Sequence, residues 1–127
     1  MARKPSGGKY KKARKKKLSE LPGQPRLVRL GQEKKKLLRT RGGRLRHVLL
    51  ATNKANVLDP ETKKSKVVQI KAVKETPANP VLARENIMVK GALIETELGI
   101  AKITNRPGQE GCIQAVLLKK EKAEKAE

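Results

Sequence analysis

From residue 45 onward, apolar and polar residues alternate in several short runs. One face of the first run holds Leu45, His47, Leu49 and Ala51. Such alternation is typical of a strand with one buried face. The runs around residues 68–72 and 113–117 repeat it with Val68, Ile70 and Ala72, and with Ile113, Ala115 and Leu117. These segments predict strands whose inner residues lie at every second position. His47 is interpreted as a packed or edge residue of its strand.

Turn signals separate the runs at intervals of about 8–12 residues. Asp59-Pro60-Glu61-Thr62 predicts a turn, which Lys63, Lys64 and Lys66 extend as a basic loop, and residues 76–80 predict another loop. Gly99 fits a tight hairpin between Leu93–Thr96 and Ile100–Thr104. Pro107-Gly108 fits the central positions of a type II turn. The pattern therefore predicts a mainly β fold, a small antiparallel β-barrel, because closure removes exposed edges from so small a core.

The first 43 residues lack this pattern. Residues 1–17, the basic arm, show no apolar periodicity, and residues 18–43 are interrupted by Pro22, Gly23, Pro25 and Gly31. Leu27, Val28 and Leu30 are expected to anchor the segment to the core, whereas residues 33–38 fit either a helical turn or a strand. The predicted organisation is a long, basic, largely irregular extension over residues 1–43, a barrel over 44–118 and a charged tail over 119–127. The tail is expected to be a frayed helix or disordered.

The charge of this extension indicates what kind of partner it binds. Lys9–Lys17 places seven cations in nine positions, and residues 1–47 carry 18 cationic against two acidic side chains, a net charge of +16. Self-repulsion opposes a compact fold of the arm, which is expected to be disordered until a polyanion neutralises it. Nucleic acid is the commonest such partner.

Aromatic content restricts the mode of binding. Tyr10 is the chain's one aromatic residue, so a platform that stacks several splayed bases is excluded. Contacts are expected mainly to phosphate, ribose and groove shape, which favours structured RNA or duplex DNA.

Other classes of function find little support. The chain has one histidine and one cysteine, too few for a His/Cys zinc site or an internal disulfide. A catalytic triad would have to use His47, because there is no second histidine. We therefore expect no enzyme activity, metal, cofactor or small-molecule substrate. No apolar stretch approaches the ~20 residues of a membrane span, and the N-terminus does not resemble a secretory signal. Because the single cysteine cannot form an internal disulfide, a cytoplasmic location is expected, or a nuclear one in a eukaryote.

Two glycine pairs lie among the cations. The Ser6-Gly7-Gly8 step is expected to be flexible and to allow close approach of the backbone to phosphate. Gly42-Gly43 lies among Arg39, Arg41, Arg44 and Arg46. If this segment is extended, its arginines point to one side and the glycines admit RNA close to the backbone; alternatively, the pair forms a hairpin turn with positive φ. Both interpretations stay open.

Three blocks together resemble the archaeal and eukaryotic small-subunit ribosomal protein family S8e. They are Lys4-Pro5-Ser6-Gly7-Gly8-Lys9, Arg39-Thr40-Arg41-Gly42-Gly43, and Gly91–Gly99 followed by Asn105-Arg106-Pro107-Gly108-Gln109-Glu110-Gly111. Their order and spacing are specific. Ser6 replaces the family's usual Thr, Pro22-Gly23 stands where the family has Gly-basic, and the long eukaryotic insertion is missing, so the chain resembles the short archaeal form.

The resemblance implies a β-barrel with a basic extension that binds small-subunit ribosomal RNA in the cytoplasmic ribosome and supports translation, beside neighbouring ribosomal proteins. An architectural DNA-binding protein is the alternative, although apolar wedges are not evident in the basic segment. The residues expected to bind RNA are Arg3, Lys4, Ser6, Gly7, Gly8, Lys9, Tyr10, Lys11, Lys12, Arg14, Lys15, Lys16, Lys17, Arg39, Arg41, Gly42, Gly43, Arg44, Arg46 and Arg106.

Overall fold

The computed structural model of the chain describes residues 3–11 and 14–120, and side chains as far as residue 118. Over these residues the chain forms nine strands, one short α-helix and two 3₁₀ turns. The strands are β1 (Val28–Leu30), β2 (Lys34–Arg39), β3 (Leu45–Thr52), β4 (Lys54–Leu58), β5 (Ser65–Glu75), β6 (Ile87–Met88), β7 (Leu93–Thr96), β8 (Gly99–Ile103) and β9 (Gln114–Lys120). The helix α1 is Pro80–Arg84, and the 3₁₀ turns are Leu18–Glu20 and Arg41–Gly43.

Five strands close into a barrel in the order β4-β5-β7-β8-β9. Four of the five pairings are antiparallel, and the closing pair between β4 and β9 is parallel. The mainly β class and the barrel are thereby confirmed, with this one parallel pair as a detail that local sequence patterns do not reveal. The interior is apolar and includes Ala55 and Val57 of β4 together with Ile113, Ala115 and Leu117, on the face predicted for the last strand.

A β-bulge in β5 changes the predicted inner face of that strand. Ile70 pairs with Thr96 of β7, but Ala72 pairs with the adjacent Glu95, so β5 has one extra residue between these pairs. The buried positions therefore move from Val68 and Ile70 to Val73, while Ala72 is only half-buried. A bulge of this kind exchanges the two faces of a strand beyond it.

The hairpin predicted around Gly99 is present. Thr96 pairs with Gly99, whose φ of +124° is accessible to glycine without strain. The hydroxyl of Thr96 is buried and donates a hydrogen bond to the carbonyl of Gly99 at 2.7 Å. This bond satisfies a polar group inside the barrel and fixes the turn between β7 and β8.

A second sheet has the strand order β2-β3-β1-β6. Val28 of β1, Leu49 of β3 and Met88 of β6 belong to the same buried cluster as the barrel interior, so this sheet and the barrel share one core. Val28 therefore anchors the extension as predicted, whereas Leu27 remains 42% exposed.

The second sheet draws strands from both sides of residue 43. Residues 33–38, which the sequence left between helical turn and strand, lie largely in β2, and β2 pairs with β3 across the loop at residues 40–44. The barrel itself begins at β4, because β3 belongs to the second sheet. The division of the chain into an RNA-binding part and an independently folding part stays a prediction.

The remaining elements differ from the sequence expectation in three places. The loop at residues 76–80 ends in α1, where the side chain of Asn79 accepts a hydrogen bond from the amide of Val81 at 3.0 Å. Cys112, which the sequence predicts as a small buried or edge residue, is exposed and precedes β9. The predicted tail overlaps β9, which continues to residue 120, and its residues 121–127 lie outside the described residues.

The turn at Pro107-Gly108 was predicted correctly, but its type was wrong. The amide of Gln109 donates to the carbonyl of Arg106 at 2.9 Å, which closes the turn. Gly108 does not have the positive φ that a type II turn requires at that position. Glycine is needed for space instead: a β-carbon at Gly108 would lie 2.7 Å from the carbonyl oxygen of Arg26.

Candidate nucleic-acid interface

Arg3 and Lys9 are joined by a tight turn through the Ser6-Gly7-Gly8 step. The amide of Gly7 donates to the carbonyl of Lys4 at 2.8 Å, and the amide of Lys4 donates to the carbonyl of Gly8 at 2.9 Å. Gly7 has φ +81°, and Arg3 and Lys9 form an antiparallel bridge. The turn therefore holds the cations at both ends of the motif close together.

Tyr10 follows this turn and is paired with one of its cations. The Lys4 ammonium lies 5.7 Å from the centre of the Tyr10 ring, within the range of a cation–π interaction. Because Tyr10 is 61% exposed, the ring also presents surface to a partner.

An ion pair joins the described part of the arm to Glu20, three residues beyond its end. Arg14 donates two hydrogen bonds to the carboxylate of Glu20, at 2.8 and 2.9 Å, and the amide of Lys17 donates a third at 3.1 Å. The Arg14 guanidinium, and secondarily the Lys17 amide, lowers the pKa of Glu20 below its usual range. Arg14 is thus occupied in the free chain, while Lys15, Lys16 and Lys17 are exposed. Lys12 lies outside the described residues.

The arginine-rich segment around Gly42-Gly43 is a hairpin tip, not an extended chain. Both glycines have positive φ, +81° and +76°. The amide and hydroxyl of Thr40 both donate to the carbonyl of Arg44, at 2.8 and 2.9 Å, which closes the loop between β2 and β3. The turn interpretation of the pair is therefore confirmed, although a contact with RNA at this exposed tip remains a prediction.

The arginines of this hairpin do not share one side. Arg39 pairs with Leu45 and Arg46 pairs with Leu38, and residues that pair across two strands lie on one face of the sheet. Because Leu38 and Arg39 are adjacent in β2, Arg39 and Arg46 point to opposite faces. The expectation of a single arginine-lined side was wrong because the chain reverses at residues 40–44.

Arg46 holds the loop between β8 and β9. Its guanidinium donates to the backbone carbonyl of Gln109 at 2.8 Å and to the side-chain oxygen of Gln109 at 3.2 Å. The amide of Leu49 donates to the carbonyl of Glu110 at 3.1 Å. Arg46 therefore positions the loop that carries Arg106, which is a structural role that its sequence neighbours do not indicate. The prediction that His47 is a packed or edge residue was wrong, because His47 is exposed and β3 lies between β2 and β1. Leu45, predicted on the same inner face, is 64% exposed.

Two cations that the sequence analysis did not single out lie near Arg106. Arg26 and Lys90 line the same cleft as Arg106, although 80 and 16 residues separate them from it in the chain. Neither residue belongs to a basic run or a motif of the sequence. Their proximity to Arg106 becomes visible only in the structure, where residues 23–26 pack against the loop that carries Arg106.

Comparison with known proteins fits this basic, β-rich architecture. The family model described as ribosomal protein S8e matches residues 1–118. The chain belongs to the ribosomal protein S8e family. A relative from Picrophilus torridus, named small ribosomal subunit protein eS8, is 47% identical over 116 residues, which are 91% of this chain and 93% of the relative. The resemblance stated from the sequence motifs is thus confirmed.

Membership of this family makes the chain a structural ribosomal protein rather than an enzyme, as its composition predicted. Within the described residues, no cluster of three His, Cys, Asp or Glu side chains has a geometry able to hold a metal ion. No helix in the described ranges is long and apolar enough to cross a membrane.

Proposed function

We propose that this protein is a structural constituent of the small ribosomal subunit, located in cytoplasmic ribosomes, and that it binds ribosomal RNA through its basic arm. Family membership and the name of the archaeal relative support the structural role in the small subunit. Ribosomal RNA and neighbouring ribosomal proteins are the partners that this role implies.

The exposure of the arm carries the RNA-binding part of the proposal. Every described residue before Val28 is exposed, and the hydrogen bonds and ion pairs of the arm are local to residues 3–21. Residues 1–17 contain nine Lys and Arg and no acid. A solvated cationic segment of this kind gains free energy by releasing the counterions of a polyanion.

Crosslinking in intact cells tests this proposal. We expect ultraviolet crosslinks from the arm to small-subunit ribosomal RNA, and sedimentation of the protein with small subunits in a gradient. The architectural alternative predicts sedimentation with the nucleoid and crosslinks to DNA. That second outcome would contradict the proposal, because charge alone does not distinguish the two polyanions.

A further inference from the structure

A cleft of about 480 Å³ opens between the segment Gly23–Arg26 and the loop Arg106–Gln109. Its volume is within the range of sites that hold small ligands. Met88 and Pro107 are buried at its base, and Leu82 and Val89 are half-buried beside them. The exposed cations of the cleft are Arg26, Lys90 and Arg106, and no acidic residue is among the described residues that line it.

The walls of this cleft are held in place. Residues 23–26 pack so closely on the loop that Gly108 has no room for a β-carbon beside the carbonyl of Arg26. The amides of Gln109 and Glu110 both donate to the carbonyl of Arg106, at 2.9 and 3.1 Å, and Arg46 holds Gln109 from the other side. A site fixed in this way loses little conformational freedom when a ligand enters.

We propose that the cleft binds one unstacked nucleotide of ribosomal RNA, a proposal that rests on the proposed function. A nucleobase needs an apolar surface for its faces and polar groups for its edges, and RNA loops supply bases splayed out of the helix. The half-buried side chains of Leu82 and Val89 provide the apolar surface above the buried Met88 and Pro107, and Gln24 and Gln109 are the uncharged polar residues of the lining. The three cations suit the phosphates on either side of that nucleotide.

This proposal adds a base contact to the phosphate contacts expected from the sequence. The single aromatic residue excludes a platform for several bases, but one base can be held between aliphatic side chains. The absence of lining acids among the described residues suits an anionic occupant rather than a basic peptide.

Two neighbouring residues of α1 provide a matched pair of variants. Leu82 lines the cleft, while Val81 is 54% exposed on the same helix and does not line it. Leu82 is not one of the half-buried residues packed against the main core, so a glutamate is expected to be tolerated. Leu82→Glu places a carboxylate in the cleft, and Val81→Glu adds the same charge outside it.

Two side chains report separately on the cleft and on the arm. Met88 is one of two methionines, so its ¹³C-labelled methyl group gives an easily assigned signal at the base of the cleft, and fluorinated Tyr10 reports on the arm. The probe is the set of small-subunit ribosomal RNA fragments recovered by crosslinking. A parallel titration with inorganic phosphate reaches the cations without covering the apolar base.

We expect the RNA fragments to shift both signals in the wild type and in Val81→Glu, and phosphate to leave Met88 unchanged. In Leu82→Glu, Tyr10 should still shift while Met88 does not, and affinity should fall about tenfold below that of Val81→Glu, because the carboxylate in the cleft repels the phosphates beside the nucleotide. If Leu82→Glu does not fold, Arg106→Gln replaces it, with Lys66→Gln on the barrel as control.

Three outcomes would overturn the proposal in different ways. If RNA shifts Tyr10 but not Met88 in the wild type, the cleft is not a nucleotide site, although binding through the arm stands. If Met88 responds to ribosomal proteins and not to RNA, the cleft binds protein. If RNA shifts neither signal, the proposed function itself fails.

Discussion

At the scale of single residues, Gly108 is the position where an added β-carbon meets backbone. We predict that Gly108→Ala lowers the free energy of unfolding by about 1–3 kcal/mol, the usual cost of overpacking a closely packed site. The cause is steric, because the new β-carbon would lie only 2.7 Å from the carbonyl oxygen of Arg26. Backbone strain does not contribute, since φ at Gly108 is not positive. Urea unfolding measures the change.

Gly23→Ala is the matched control for Gly108→Ala. Gly23 lies in the segment opposite the loop, has no positive φ, and a β-carbon there would have no neighbour within 4 Å. Its stability should stay within about 0.5 kcal/mol of the wild type. Equal effects of the two substitutions would show that the close approach at Arg26 contributes nothing.

At Gly43 the expected cost comes from the backbone conformation, because an added β-carbon would meet only the Arg39 guanidinium, at an ordinary contact distance of 3.8 Å. With φ +76°, Gly43→Ala should destabilise the free protein by about 1–2 kcal/mol. Gly43→Asn should lose less, because asparagine tolerates the left-handed region. Thermal unfolding of both variants checks this; an alanine variant as stable as the wild type would mean that the hairpin tip is not rigid.

At the scale of elements, the turn at Leu18–Glu20 competes with RNA for Arg14. We predict that Glu20→Gln frees this guanidinium and steepens the log–log dependence of RNA affinity on salt by about 0.7–0.9, the value of one more phosphate contact. Glu97→Gln removes the same charge from an exposed turn of the barrel and should leave the slope unchanged. Identical slopes for all three proteins would mean that Arg14 does not gain a phosphate contact when Glu20 is neutralised.

The same ion pair sets a pH dependence. Arg14 lowers the pKa of Glu20 below its usual value of 4.5. The charged carboxylate therefore makes its full contribution to the stability of the turn at pH values above 4.5. This contribution is lost as the pH falls through the lowered pKa, and it does not change between neutral pH and about 5. The amide signal of Lys17, which donates to Glu20, should follow this titration.

Local patterns predicted those elements whose causes are local. The alternation at 113–117 indicated the inner face of the last strand, and Gly99 indicated its hairpin, because each depends on neighbours in sequence. The signature Asn79-Pro80, a helix cap followed by proline, could have revealed α1 but was interpreted only as a loop. The bulge in β5 was not predictable, since the adjacent small apolar residues Ala72 and Val73 fit either face.

Some features of the candidate interface likewise have local sequence signals, and others depend on packing between distant residues. The charge of the arm was readable from the sequence, and the turn at Gly42-Gly43 was one of two interpretations that the sequence left open. The hydrogen bonds of Arg46 to Gln109 join residues 63 positions apart, and the cleft brings Arg26 to Arg106. Such juxtapositions depend on how the second sheet packs beside the barrel, and no local pattern encodes them.

At the scale of the whole molecule, the arm and the folded body should be separable. We predict that deleting residues 1–17 leaves the circular dichroism spectrum of the strands and the melting temperature nearly unchanged, because no described residue of the arm is buried or pairs with a strand. RNA affinity should fall by several kcal/mol, since each cation near phosphate adds a modest increment. Loss of the strand spectrum on deletion would show that the arm is part of the fold.

The salt dependence of affinity for small-subunit ribosomal RNA tests the central claim most directly. Neutralising about eight phosphates predicts a log–log slope of roughly −6 to −7 for the full chain. The chain without residues 1–17 serves as the comparison, and its slope should be much shallower, because nine cations are removed. A slope near −2 for the full chain, or equal slopes for the two, would contradict binding through the arm.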